Sequence, residues 1–247
     1  MKLDRVGETN LNRYGNRMTI IKYNNALDIV IEFMDGFKFQ TCYSNFRKGK
    51  IKSPYDRSVL DVGFLGEGFK PNEKTHQYKK WIGMMSRCYN PVEQSKHPAY
   101  IGCTVCDKWH NFQNFITWYD DNYYEIDEER MELDKDILHK GNKIYSPENC
   151  TFAPRNINGL FEQCYKLERH LPIGVSWAED RQEYQSTCSD GSQKTIHLGF
   201  YSTPKQAFYK YKIYKEKLIR QIADEYKDRI PSRLYNAMIN YQVEITD

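Results

Sequence analysis

Two cysteines, Cys103 and Cys106, have the spacing at which short loops present thiolates to a zinc ion. Cys88 and Cys150 could complete a four-thiolate structural site, because the helix and hairpin predicted to carry them belong to one small domain. The sequence contains no second closely spaced pair of the kind that makes such a site specific. Buried thiols that pack as small apolar side chains are the alternative interpretation.

Apolar residues at helical and alternating spacing predict the elements that must position these cysteines. One helix carries Trp81, Met84 and Cys88 and ends at Asn90–Pro91, where the proline cannot continue the backbone hydrogen bonding. The rest of this middle segment reads as a helix around residues 109–119, a strand over 131–137, a return strand over 150–152 and a helix over 154–165 with Pro154 in its first turn.

The flanking segments are richer in strand patterns. Alternating residues predict N-terminal strands over 18–23, 28–33 and 37–42, with a hairpin turn at Asp35–Gly36. Near the C-terminus, three further strands over 173–178, 183–188 and 194–201 precede a long helix that is capped by Thr203. We therefore predict an α+β fold in three modules, a small β-rich module over residues 1–68 and two further modules over 78–165 and 172–230.

Composition limits the class of protein without naming it. Of the 247 residues, 40% are hydrophobic and 28% are charged, which is typical of a folded soluble chain. The formal net charge of +3 is compatible with a nucleic-acid partner but does not require one. We expect neither a membrane span nor an export signal, and we expect the seven cysteines to be reduced in the cytoplasm.

Residues 81–160 resemble the HNH nuclease motif, also called ββα-metal, in the degenerate form found in phage proteins. The resemblance is carried by LDKDILHKGNKIYSPENCTFAPRNIN and by the upstream stretches WIGMMSRCYNP and CTVCDKWHNFQNFITW. It implies a β-hairpin and a helix that clamp one Mg²⁺ or Mn²⁺ ion, which would stabilise the leaving oxygen during cleavage of a DNA strand. Asp134 and Asn158 fall at its metal-ligand positions, and Asn149 falls at the position that ties the hairpin loop.

Lys135 stands where the motif has its histidine base. A lysine with an ordinary pKa is protonated at neutral pH and cannot accept a proton from water. Asp136 and His139 are close enough in sequence to be substitute bases. The resemblance therefore leaves two alternatives open, an active nuclease and a scaffold that docks on DNA without cutting it.

The C-terminal segment GVSWAEDRQEYQSTCSDGSQKTIHLGFYSTPKQAFYKYKIYK resembles the Apetala/ethylene-response-factor DNA-binding domain found in phage integrases and homing nucleases. The marks are Gly174–Val175, Leu198–Gly199–Phe200 and the helix entry from Thr203 to Ala207. The resemblance implies a three-stranded sheet that lies in the major groove of double-stranded DNA. The basic residues along the following helix are interpreted as a solvated face.

The pleat of this sheet predicts which side chains would contact DNA. The face opposite the helix should carry polar side chains that can read bases, and the strand ends should carry cations that hold phosphates. A small domain that binds protein is the alternative. The predicted DNA-contacting residues are Ser176, Arg181, Gln185, Thr187, Lys194, Thr195 and His197.

Together these features predict a DNA-binding protein of phage or mobile-element type that acts in the cytoplasm of a bacterial host. The leading function is a homing endonuclease of the HNH type, or a catalytically impaired descendant in which Lys135 replaces the base. The alternative is a non-enzymatic DNA-binding regulator or counter-defence factor.

Overall fold

The computed structural model of the protein describes residues 4–72, 75–161, 170–191 and 194–247. Both helices and strands are present, as predicted for an α+β fold. The chain divides into two compact units, Met1–Asp121 and Asn122–Asp247. This division falls inside the segment 78–165, and the three-module boundaries stay a prediction.

The first unit begins with an antiparallel sheet in which the strands follow one another in chain order. Alternate residues of β2 and β3 are buried, so one face of the sheet forms a core with Phe46 and Ile51. Gly36 has a φ of +86°, the left-handed conformation that the predicted hairpin turn requires. The strands are β1 Thr9–Leu11, β2 Arg17–Asn25, β3 Asp28–Phe33 and β4 Lys38–Thr41.

The rest of the first unit is mainly helical and has an aromatic core. The indole nitrogen of Trp81 donates a hydrogen bond to the carbonyl of Trp109 at 2.7 Å, and both rings are fully buried. The predicted end of the second helix is confirmed, since Asn90 leaves the helix and its side chain accepts from the Val92 amide at 3.0 Å. The elements are α1 Tyr43–Arg47, α2 His76–Tyr89, α3 Pro91–Lys96, a short 3-10 helix Pro98–Tyr100, β5 Thr104–Val105, α4 Asp107–His110 and α5 Phe112–Asn122.

The second unit opens with a hairpin and a helix: β6 Met131–Asp134, β7 Ile144–Tyr145, β8 Thr151–Pro154 and α6 Arg155–Phe161. The pairing of β6 with β8 places Leu133 opposite Phe152. Two predicted bounds are wrong. The first strand stops at Asp134 because its carboxylate turns the chain, and Pro154 ends β8 instead of opening the helix. Residues 162–165 of the predicted helix lie outside the described residues.

The second half of this unit is an antiparallel sheet backed by a long helix. The strands β9 Val175–Ala178, β10 Glu183–Ser189 and β11 Thr195–Tyr201 pair in the order β11-β10-β9. Helix α7, Pro204–Tyr226, begins where the Thr203 hydroxyl accepts from the Gln206 amide at 3.2 Å, as the sequence predicts. A further helix, α8 Ser232–Ile239, follows and was not predicted.

One apolar core joins the hairpin–helix half of the second unit to its long helices. Ile157 and Leu160 of α6 pack with Ile219 and Ala223 of α7, and α8 closes this cluster through buried Leu234 and Met238. Helix α7 thus packs against both the β6–β8 hairpin and the three-stranded sheet.

None of the helices in the described part of the chain combines the length and the apolar character that crossing a lipid bilayer requires.

Candidate nucleic-acid interface

The three-stranded sheet of the second unit packs on α7 with one face, and no helix among the described residues covers the other. Partners across antiparallel strands point to the same side, and Gln185 lies opposite Ser176 while Thr187 lies opposite His197. Thr195 pairs with Ser189, two residues beyond Thr187 on the same strand. The register therefore brings the five predicted polar residues of the strands together on one face, which we call the outward face.

The opposite face packs on α7, as the pleat predicts. Cys188 is buried with Phe208 and Tyr211 of the helix, and Val175 and Leu198 pack against this cluster. The helix therefore supports the sheet from the side opposite the outward face.

A chain of contacts crosses the outward face. Nε2 of Gln185 donates a hydrogen bond to Nδ1 of His197 at 3.1 Å. The His197 ring lies 4.6 Å from the Phe200 ring, centroid to centroid, and the Arg181 guanidinium carbon lies 4.4 Å from the centroid of that same ring. Since Nδ1 of His197 accepts, the neutral imidazole carries its proton on Nε2, which leaves a hydrogen-bond donor for a ligand.

Phe200 was not among the residues predicted for this face. Regular alternation along β11 would have put Phe200 on the same side as Leu198, which packs on the helix. Instead the register shifts between Ser186 and Thr187, so that β11 contains one extra residue and Phe200 turns outward opposite Gln185. Gly199, with a φ of +124°, occupies the bulge, and this glycine is the sequence signal that indicates it.

The two predicted phosphate-holding cations lie at the ends of the strands and are exposed. Arg181 is 3.9 Å from the Asp180 carboxylate and rests on Phe200, which orders its guanidinium. Lys194 immediately precedes β11, and its carbonyl accepts a hydrogen bond from the Asp190 amide at 2.9 Å.

The second candidate site is the hairpin loop that begins at Asp134. Oδ1 of Asp134 accepts hydrogen bonds from the backbone amides of Asp136 and Ile137, both at 2.8 Å. Burial of the carboxyl group and the adjacent Asp136 carboxylate raise the pKa of Asp134 to about 7. A divalent ion at Asp134 would therefore compete with a proton near neutral pH.

Asn149, predicted at the position that ties the loop, forms hydrogen bonds across it. Its Nδ2 donates to Oδ1 of Asn142 at 3.1 Å and to the carbonyl of Ile144 at 3.3 Å. Asn142 in turn donates to the carbonyl of Lys135 at 2.7 Å. The side chains of Asn149 and Asn142 thus link the end of the loop to the backbone of Lys135, which follows Asp134.

The side chain of Lys135 is poorly placed to act as a general base. Its side chain is only 10% exposed, and its Nζ lies 3.0 Å from Oδ2 of Asp136. The first substitute base is thus engaged by the lysine, and the second, His139, is exposed on the loop. Asn158, the second predicted metal ligand, lies half-buried on α6, which contacts both β6 and β8.

Comparisons with known proteins found no match. The chain was compared with protein-family models, with curated proteins and with solved structures, and nothing matched in any of the three.

Of the cysteines predicted to hold zinc, Cys88, Cys103 and Cys150 are buried and Cys106 is half-buried. Within residues 4–72, 75–161, 170–191 and 194–247, no group of three or more His, Cys, Asp or Glu side chains is arranged to hold a metal ion. The zinc site has no support from this geometry and stays a prediction. Asp134 thus belongs to no such group within these ranges, and a divalent ion there would depend on Asn158, on water and on phosphate oxygens.

Proposed function

We propose that this chain binds double-stranded DNA through the outward face of its three-stranded sheet. The observation that carries the proposal is the contact chain Arg181–Phe200–His197–Gln185, which places a cation, an aromatic ring, an imidazole and an amide side by side on an exposed face. These are the chemical groups that proteins use on the phosphates and base edges of a groove. The resemblance to the Apetala/ethylene-response-factor domain supports the same assignment.

Each group has a separate task in this proposal. Arg181 and Lys194 hold phosphate oxygens from the two ends of the sheet and provide the affinity that depends on salt. Gln185 keeps its amide oxygen free of the bond to His197, and His197 presents its Nε2 proton, so the pair offers one acceptor and one donor to base edges. Because the two side chains orient each other, less side-chain freedom is lost on binding.

We further propose that the Asp134 loop is a degenerate HNH site whose cleavage is impaired. The support is the ion pair between Lys135 and Asp136. Lys135 is a cation directly after the proposed metal ligand Asp134, and it engages the carboxylate of Asp136, which is a possible base. With Mg²⁺ or Mn²⁺ bound, the ion would supply the Lewis acid, while Asp134 and Asn158 would hold it. The related alternative, a non-enzymatic DNA-binding regulator or counter-defence factor, uses the same outward face without this chemistry.

The cell compartment belongs to the same proposal. In this proposal the chain acts on DNA in the cytoplasm of a bacterial host, for a phage or mobile element, where cysteines are normally kept reduced.

Fluorescence anisotropy with labelled duplex DNA tests the binding proposal. We expect saturable binding that the double variant Arg181→Ala/Lys194→Ala weakens at least about tenfold. Lys217→Ala is the matched control, because Lys217 is also exposed but lies on α7, which contributes nothing to the outward face. Equal losses in the double variant and the control would refute the assignment of the face.

A further inference from the structure

A groove of about 710 Å³ lies in the second unit, between the first turns of α7 and the C-terminal segment that follows α8. This volume falls within the range of sites that hold a small ligand or a few side chains of a partner. Its described lining residues are Tyr201, Lys205, Gln206, Phe208, Tyr209, Lys210, Lys212, Val243, Glu244 and Ile245.

The wall of the groove is held in place by its own hydrogen bonds. Nζ of Lys212 donates to the Val243 carbonyl at 2.5 Å, and Oε1 of Glu216 accepts from the Val243 amide at 3.0 Å. Lys212 and Glu216 are themselves 2.9 Å apart. Farther along the C-terminal segment, Oδ1 of Asp247 lies 2.6 Å from Nζ of Lys140. The groove therefore exists before any ligand arrives.

The floor and the rim of the groove differ in chemistry. Phe208 and Val243 form an apolar floor, and the side chains of Tyr209 and Ile245 are 59% and 48% exposed along it. Exposed apolar groups that line a concave surface are typical of interaction sites.

The rim carries more positive than negative charge. Lys205 and Lys210 are exposed, and no described residue forms an ion pair with either of them. Lys212 is neutralised by Glu216, and Glu244 is the acidic residue of the described lining. The excess of positive charge comes from Lys205 and Lys210.

We infer that this groove binds a short segment of a partner protein in which acidic side chains alternate with large apolar ones. The apolar side chains would fill the floor, and carboxylates would meet Lys205 and Lys210 at the rim. Apart from Tyr201 at the end of β11, the groove is formed by α7 and the C-terminal segment, and none of its lining residues is among those named on the outward face of the sheet. The inference therefore allows a partner segment and DNA to bind the same chain together.

The test uses three synthetic fluorescent peptides of one length. The first contains alternating glutamates and leucines, the second has lysine in place of each glutamate, and the third has alanine in place of each leucine. We expect the acidic apolar peptide to bind the full chain at least about tenfold more tightly than either of the others. Equal binding of the acidic and basic peptides would overturn the inference.

Variants locate the binding. Lys205→Glu/Lys210→Glu should reverse the preference between the acidic and basic peptides, and Ile245→Gln should weaken binding of the acidic peptide several-fold. Lys217→Glu is the control, because it changes the charge of the same helix outside the groove and should leave binding unchanged. These four positions are exposed, so the variants should melt as the unaltered chain does.

Two other occupants give distinct results. If Lys205→Glu/Lys210→Glu abolishes duplex DNA binding, the groove lysines serve nucleic acid and the inference fails. If the chain sediments as a dimer that Ile245→Gln dissociates, a second copy covers the groove and the inference also fails. Loss of DNA binding in the outward-face variants alone would leave the groove assignment unaffected.

Discussion

Gln185 and His197 meet across neighbouring strands, with 3.1 Å between Nε2 of the glutamine and Nδ1 of the imidazole. Each side chain fixes the orientation of the other, so the loss of one should release both. We expect Gln185→Ala or His197→Ala to reduce discrimination between preferred and unrelated duplexes by about 1–3 kcal/mol, with a smaller effect on non-specific binding. Competition anisotropy with both kinds of DNA measures the difference. An equal loss on every sequence would mean that these residues do not read bases.

Salt dependence separates the phosphate contacts from the base contacts. Arg181→Ala and Lys194→Ala should each reduce the slope of log affinity against log salt by about 1, because one fewer counterion is released. Gln185→Ala should leave the slope unchanged, since the glutamine is neutral. Titrations at several salt concentrations provide the slopes, and binding indifferent to salt in the unaltered chain would contradict the interface.

Lys135 is the residue on which the catalytic proposal depends. Lys135→His should raise metal-dependent nicking of supercoiled DNA by about 10²–10⁴-fold, which is the typical contribution of a positioned base. The matched variant Lys135→Gln removes the charge without adding a base and should raise nicking much less. Agarose gels with Mg²⁺ or Mn²⁺ measure the rates.

The same assay tests Asp134. The double variant Asp134→Ala/Lys135→His should lose the gained activity, because the ligand for the ion is gone. An unaltered chain that already cuts strongly, and keeps that rate after Asp134→Ala, would refute the site.

The pH dependence of stability follows from Asp134. Its pKa of about 7 in the folded chain exceeds the usual value of 3.8, so between these values the folded chain binds a proton that the unfolded chain has released. This contribution to the free energy of unfolding is complete below about pH 4 and is lost as the pH rises through about 7. We expect the melting temperature, measured with a chelator, to fall between about pH 4 and about pH 7.

Asparagine retains the oxygen that accepts the two backbone amides but does not titrate. Asp134→Asn should therefore flatten the pH profile, whereas Asp228→Asn, at an exposed position, should leave it as in the unaltered chain. Parallel profiles for the unaltered chain and Asp134→Asn would show that this carboxyl group does not control the transition.

Thiol titration addresses the zinc hypothesis. Cys88, Cys103 and Cys150 are at most 5% exposed, so we expect them to react slowly with a thiol reagent in the folded chain and completely after unfolding. Elemental analysis is the companion measurement. About one zinc per purified chain, whose removal lowers the melting temperature, would establish the four-thiolate alternative in place of simple buried thiols.

Sequence alone determined the features of this protein that depend on neighbours along the chain. Alternation predicted β3 at Asp28–Phe33 with its observed bounds, Pro91 set the end of α2, and Thr203 marked the start of α7. The five polar residues of the outward face followed from the same periodicity, since the pleat has a period of two wherever a strand is regular. These features are local, and short sequence patterns carry them.

Tertiary structure decided what depends on distant contacts. The bulge that turns Phe200 outward arises because β11 has one more residue than β10 where the two strands pair. The periodicity of one strand alone cannot predict such a mismatch. Strand β6 ends where the Asp134 carboxylate accepts hydrogen bonds from the backbone amides that follow it. Helix α8 is held by the apolar core that it shares with α6 and α7. The groove beside α7 likewise needs the C-terminal segment to lie against that helix. Such arrangements depend on packing and hydrogen bonds between residues far apart in the chain, so local patterns leave them open.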